Sequence, residues 1–141
     1  ANGLRELLRR NKTITSLCIS DNTFGSNAAA ARGILQGVRS NTALQQLDLS
    51  YCEMGDHGIS LLAKALAIRN ASNLELNLQM NEITSVGVHA LVDDNVEAVM
   101  TLTMLFLMYN PAEVKGRQFW PMLWGETPCP PSNGSICVCA I

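Results

Sequence analysis

Leu44-Gln45-Gln46-Leu47-Asp48-Leu49-Ser50-Tyr51-Cys52-Glu53-Met54 is the stretch on which the fold turns. Leu47 and Leu49 are one residue apart, the spacing at which side chains of an extended chain reach the same face. Leu44 stands eight residues before Cys52, and Met54 two after it. This frame recurs when the chain is aligned on Asn22, Cys52, Asn81 and Asn110, at intervals of 30, 29 and 29 residues. The paired strand positions are then Leu17 and Ile19, Leu47 and Leu49, Leu76 and Leu78, Leu105 and Leu107. The leading position holds Ile14, Leu44, Asn73 and Leu102, and the trailing one Phe24, Met54, Ile83 and Ala112. Self-similarity at a fixed period marks a stack of supersecondary units.

The second half of each period has a helical rhythm. Ala28 to Val38 places Ile34, Leu35 and Val38 on one face, and Gly58 to Ile68 places Leu61, Leu62, Ala65 and Leu66 there. Ser85 to Val99 reads as a single helix carrying Val88, Leu91, Val92 and Val96. These spacings predict amphipathic helices. A small residue, Ala28, Gly58, Gly87 or Gly116, stands six residues after each anchor. A strand and a helix of this size cannot bury an apolar face alone, so neighbours must close the core.

The frame L-x-x-L-x-L-x-x-N/C-x-L resembles the leucine-rich-repeat family, and the period near 29 resembles its ribonuclease-inhibitor-like subtype. The resemblance implies an α/β solenoid: a right-handed β-α superhelix with a parallel sheet on the concave face and helices on the convex face. The resemblance covers roughly residues 4–117, and the solenoid is expected over residues 1–117, with a partial first repeat and further repeats starting near 14, 44, 73 and 102. Asn22, Cys52, Asn81 and Asn110 are expected to form a structural ladder, their side chains bonding backbone groups of the adjoining loops. Cys52 would serve there as a weaker donor. Residues 118–141 break the pattern: Pro121 interrupts Phe119–Trp124, and Pro128, Pro130, Pro131, Gly125 and Gly134 predict an irregular coil that could cap the last repeat.

The resemblance also implies that partners bind the concave face. Its outward positions run Ser16, Cys18, Ser20 and Asp21, then Gln46, Asp48, Ser50 and Tyr51, then Glu75, Asn77, Gln79 and Met80, then Met104, Phe106, Met108 and Tyr109. The row begins small and polar and ends apolar and aromatic, the composition of an interface core. Asp48, Tyr51, Glu75, Asn77, Met104, Phe106, Met108 and Tyr109 are the candidate contacts for a protein partner. Trp120 and Trp124 of the tail could instead lie over the aromatic end.

Composition narrows the alternatives. Apolar residues make up 48% and charged residues 16%, which excludes a disordered polar chain. The net charge is -2 and no basic stripe argues for nucleic acid. No apolar run approaches the ~20 residues of a membrane span. Cys18, Cys52, Cys129, Cys137 and Cys139 have neither disulfide-framework nor zinc-knuckle spacing, and His57 and His89 are far apart. The triplets Asn11-Lys12-Thr13, Asn70-Ala71-Ser72 and Asn133-Gly134-Ser135 fit a glycosylation sequon but arise readily by chance. No nucleophile, phosphate loop or working carboxylate pair stands out, so neither catalysis nor a cofactor or metal is expected. The expected role is a protein–protein scaffold in a larger cytoplasmic protein, cytoskeletal or ciliary among the options. A regulator of a small GTPase, similar to the Ran activators, is the alternative; the tail lacks their acidic segment.

Overall fold

A computed structural model describes residues 2–23, 25–71, 73–111 and 137–139. Helix and strand alternate along them: α1 (Asn2–Arg10), β1 (Ser16–Cys18), α2 (Ala28–Ser40), β2 (Gln46–Asp48), α3 (Gly55–Ala67), β3 (Leu74–Asn77), α4 (Ser85–Val92), α5 (Val96–Val99), β4 (Leu102–Phe106) and β5 (Cys137–Cys139). The strands form one parallel sheet in chain order, β1-β2-β3-β4-β5. Each parallel step needs a crossover, and α2, α3 and the α4–α5 pair supply three of them.

The core lies between the sheet and the helix layer. Leu47, Leu49, Leu76, Leu78, Leu105 and Leu107 enter it from the strands; Ile34, Leu35, Val38, Ile59, Leu62, Leu66, Val88 and Leu91 meet them from the helices. Burying a leucine of this kind contributes roughly 1.5–3 kcal/mol. The geometry forces curvature. Parallel strands sit ~4.8 Å apart, whereas packed helices need ~8–10 Å between axes. A stack of such units therefore bends with its strands inside.

Local chemistry sets the boundaries. Asn27 caps α2, its side chain accepting from the Ala30 amide at 3.1 Å, and Thr84 caps α4 through Val86. Asp56, in α3, reaches the next repeat. Its carboxylate accepts from the Thr84 amide at 2.8 Å, the Thr84 hydroxyl at 2.6 Å and the Gly87 amide at 3.0 Å. The small residue at position 87 has a local reason, since a Cβ there would stand 2.5 Å from Asp56 Oδ1 and 2.8 Å from Ile83 Cγ2.

Four expectations are corrected. The third leading position is filled by Leu74, fully buried, and not by Asn73. Asn73 is exposed with φ +66°, and the register slips between Leu74 and Glu75. Asparagine tolerates this left-handed backbone, and the extra step swings Leu74 into the core. The helix expected over Ser85 to Val99 is two. The chain turns at Asp93-Asp94-Asn95, where the amides of Asp93 and Asp94 both donate to the His89 carbonyl and Asn95 Nδ2 donates to that of Ala90. Ser50 is buried rather than outward, its hydroxyl donating to Asp48 Oδ1 at 2.7 Å. Within the coil expected for the tail, Cys137–Cys139 form β5, pairing Met104 with Cys137 and Phe106 with Cys139 and covering the edge of β4. Trp120 and Trp124, and the capping expected of residues 118–136, lie outside the described residues.

Candidate interaction surface

Three rows of side chains cross the concave face. Register aligns Ser16, Gln46, Glu75 and Met104 in one row, and Cys18, Asp48, Asn77 and Phe106 in the next. Beyond the strand ends Asp21, Tyr51, Met80 and Tyr109 occupy equivalent turn positions, with φ of 57°, 55°, 53° and 60°.

The middle row is largely committed to its own turns. Asp48 Oδ1 accepts from the Ser50 amide at 2.9 Å, and Asn77 Oδ1 from the Gln79 amide at 3.1 Å. Cys18 Sγ lies 3.2 Å from Ser20 Oγ in the matching place. Asp48 and Glu75 are diagonal neighbours: Asp48 faces Asn77, while Glu75 faces Gln46 and accepts its amide at 3.0 Å. Each carboxylate thus has a separate hydrogen-bond partner. Met104, Phe106 and Met108 are half-buried, and β5 flanks the strand that carries the first two.

The turn row is the exposed one. Tyr51 is 56% exposed, Met80 37% and Tyr109 66%. Large side chains rarely accept a left-handed backbone, which costs roughly 1–2 kcal/mol per residue. Interstrand bonds hold it in place: the Asp21 amide donates to Ser50 O at 3.0 Å, Tyr51 to Gln79 O at 3.0 Å and Met80 to Met108 O at 3.2 Å. Glu53 and Glu82 also have positive φ, two residues past Tyr51 and Met80. The face carries Asp21, Asp48, Glu53, Glu75 and Glu82, and no lysine or arginine occurs in 16–23, 46–54, 74–83 or 102–111.

Behind the turn row stand the anchors. Asn81 Oδ1 accepts from the amides of Cys52 (3.0 Å) and Met54 (3.2 Å), and its Nδ2 donates to Leu49 O (2.7 Å) and Gln79 O (3.1 Å). Asn110 repeats this toward Asn81 N, Ile83 N and Leu78 O. Asn22 Nδ2 donates to Ile19 O and Ser20 O. Cys52 Sγ lies 3.3 Å from Ile19 O and 3.4 Å from Ser50 O, where an amide nitrogen would sit. Burial pushes this thiol's pKa up, which keeps the proton it donates.

A second set of backbone supports, at the helix-to-strand corner, escaped sequence reasoning. Buried Asn41 accepts from the amides of Ala43 and Leu44 and donates to Leu8 O and Asn11 O. In the next repeat Arg69 takes over, at 4% exposure, with Nε donating to Asn41 O at 3.0 Å, Nη2 to Leu44 O at 2.5 Å and Nη1 to Ala71 O at 3.3 Å. Burial lowers the pKa of its guanidinium. Asn11 and Asn41, 30 apart, gave a signal. Arg69 gave none, because the period points at Asn70, which is exposed.

Residues 40–63 and 71–92 match a family model described as Leucine Rich repeat. The fold is a leucine-rich-repeat solenoid. Leucine-rich repeat-containing protein 45 of Gallus gallus is 41% identical over 66 residues, 47% of this chain and 10% of that protein. The match thus spans a tenth of that relative's length. A solved structure of Leiomodin-1 Actin-Binding Site 2 (ABS2) superposes with a TM-score of 0.64 at 20% identity, over 77% of this chain and 61% of that one. That likeness bears on the fold alone. Leucine-rich repeats generally serve in protein binding. Among the described residues no helix is long and apolar enough to cross a membrane, and no three metal-ligating side chains cluster.

Proposed function

We propose that this chain is a protein-binding module of a larger protein, working as a scaffold through the concave face and its turn row. The observation that carries this is the line of Tyr51, Met80 and Tyr109, exposed in three successive repeats on a backbone that large residues disfavour. Aromatic and methionine side chains dominate the centres of protein interfaces, and strained positions gather where a surface is used. Asp48, Glu75, Asn77, Met104, Phe106 and Met108 lie beside that line and complete the contact surface. The partner is another protein rather than a nucleic acid or membrane, a reading that an acidic face supports. The proposed role involves no catalytic step, and the small-GTPase regulator remains the runner-up. The 29–30-residue period supports the ribonuclease-inhibitor-like subtype. The free thiols of Cys18 and Cys52 support a reducing, cytoplasmic setting.

The test is capture from a lysate of the source organism, with purified actin as a defined first probe because the leiomodin segment that shares this fold is an actin-binding site. Parent protein is compared with a folded Tyr51→Ala/Met80→Ala/Tyr109→Ala variant and with Phe106→Ala. A partner retained by the parent and lost by the triple variant supports the reading. Equal retention by both refutes it. Accelerated phosphate release from a GTP-loaded small GTPase would favour the runner-up.

A further inference from the structure

We propose that the groove between α2 and α3, on the helix side of the solenoid, docks an acidic amphipathic helix of a partner protein. This site is separate from the concave face. A cleft of about 170 Å³ runs there, lined by Arg32, Leu35, Gln36 and Arg39 from α2 and by Leu61, Lys64, Ala65 and Ile68 from α3 and its C-cap. Each set follows the spacing i, i+3, i+4, i+7, so each forms a stripe about 10 Å long. Leu35 and Ala65 are buried and Leu61 is half-buried, forming an apolar floor; Ile68 stands 53% exposed at one end. Arg32, Arg39 and Lys64 are exposed on the rim.

Charge decides the occupant. No carboxylate lines the cleft, and among the described residues none of the three cations has an ion pair. Arg5 adds a fourth cation through its 3.2 Å bond to Gln36. The described lysines and arginines lie on α1, α2, α3 and the turns that follow α1 and α3, with none on residues 85–99 or the concave face; Glu6, Asp56, Asp93, Asp94 and Glu97 also belong to the helices and the α4–α5 turn, but none of them lines this cleft. The net charge of -2 therefore conceals an acidic strand face and a locally basic groove between α2 and α3. An acidic segment is repelled by the strands and drawn to this groove, and a basic one is steered the other way. A helix of two to three turns with leucine-like anchors on one stripe and glutamate or aspartate beside them matches the floor, the rim and the length.

The test uses the 141-residue chain and a labelled helical peptide with leucines at i, i+3, i+4 and i+7 and glutamates flanking them. A peptide with lysine at every glutamate position is the control. Fluorescence anisotropy reads binding at low and high salt, and circular dichroism checks that each variant folds. The glutamate peptide is expected to bind, more weakly at high salt, and the lysine peptide is not expected to enter the groove. Arg32→Glu/Arg39→Glu should weaken binding by about tenfold or more, and Ile68→Ser by about threefold. Tyr51→Ala/Tyr109→Ala should change nothing, which keeps this result independent of the concave-face reading. No binding of the glutamate peptide, or binding untouched by the charge reversal, overturns the proposal. Groove-dependent binding of phosphatidylserine vesicles without peptide binding also overturns it, in favour of a membrane surface.

Discussion

Replacing Asn81 by alanine tests whether side-chain amides hold successive loops together. Asn81 is fully buried and makes four hydrogen bonds of 2.7–3.2 Å, to the amides of Cys52 and Met54 and the carbonyls of Leu49 and Gln79. Each bond contributes about 1 kcal/mol net, and a buried group left unpaired costs at least that. Water entering the space returns part of the loss, so the expected cost is about 3 kcal/mol. Cys52 provides the reverse experiment. Its thiol reaches two carbonyls at 3.3 and 3.4 Å and is a weak donor. Cys52→Asn restores a two-proton donor and an oxygen acceptor, with an expected gain of about 1 kcal/mol. Urea titration measures both as shifts of midpoint at constant slope. Repeat arrays can unravel in parts, so exchange of the Cys52 and Met54 amides serves as a local readout. An Asn81→Ala variant within about 0.5 kcal/mol of the parent, or a Cys52→Asn variant less stable than it, would refute the ladder as an energetic element.

Arg69→Met should cost about 3 kcal/mol, because it strips the carbonyls of Asn41, Leu44 and Ala71 of their donor; Arg69→Lys should recover only part, since an ammonium cannot span three carbonyls as a guanidinium fork does. Thermal melts of the pair decide this, and equal melting of parent and methionine variant would reject it. Gly87→Ala and Asp56→Ala should each cost about 2 kcal/mol, and the double variant well under the sum, because both break the same carboxylate grip on α4; strict additivity would show the two act separately. Alkylation mapped by mass should label exposed Cys18 long before buried Cys52, whose pKa is raised by burial; equal rates would contradict that burial. Hydrogen bonds from Arg9 and Arg10 hold the Glu6 carboxyl at about 2, below its ordinary 4.5. Their contribution is present above 4.5 and lost as pH falls toward 2. An NMR titration should find that low midpoint, and find it returned toward 4.5 in Arg9→Gln/Arg10→Gln.

Much of the architecture was legible because it repeats. One leucine pair suggests little, but four pairs at intervals of 30, 29 and 29 residues leave little other than a stack of strand-and-helix units. The anchor positions recur at the same period, while the bonds that Asn81, Asn110 and Cys52 make are visible only in the structure. The illegible features share a cause: they depend on one-residue shifts that a period averages away. Asn73 keeps the period and Leu74 fills the core, because a left-handed residue takes up the difference. Arg69 is buried and Asn70 exposed, because a long side chain can reach carbonyls from an adjacent position. The break at residues 93–95 replaces a helix that apolar spacing alone would continue.

For the candidate surface the division is similar. Alternation along each strand proposes which residues point outward, since period 2 assigns faces without knowledge of neighbours, but it placed Ser50 on the wrong side. How far each stands exposed was a tertiary matter. Asp48 and Asn77 accept bonds from their own turns, Ser50 is buried, and Phe106 is half-buried in the strand beside β5, while Tyr51, Met80 and Tyr109 are exposed in one line. Charge divides in the same way. Composition sums to -2, but the sum cannot place five acids on the strand face or gather Arg32, Arg39 and Lys64 around one groove free of carboxylates. Periodicity in the chain therefore determined the unit and its stacking, because burial of an apolar stripe is a local, repeated demand. The tertiary structure alone decided exposure, pairing and field, because these arise between repeats, where residues about 30 apart in sequence become neighbours ~5 Å apart in space.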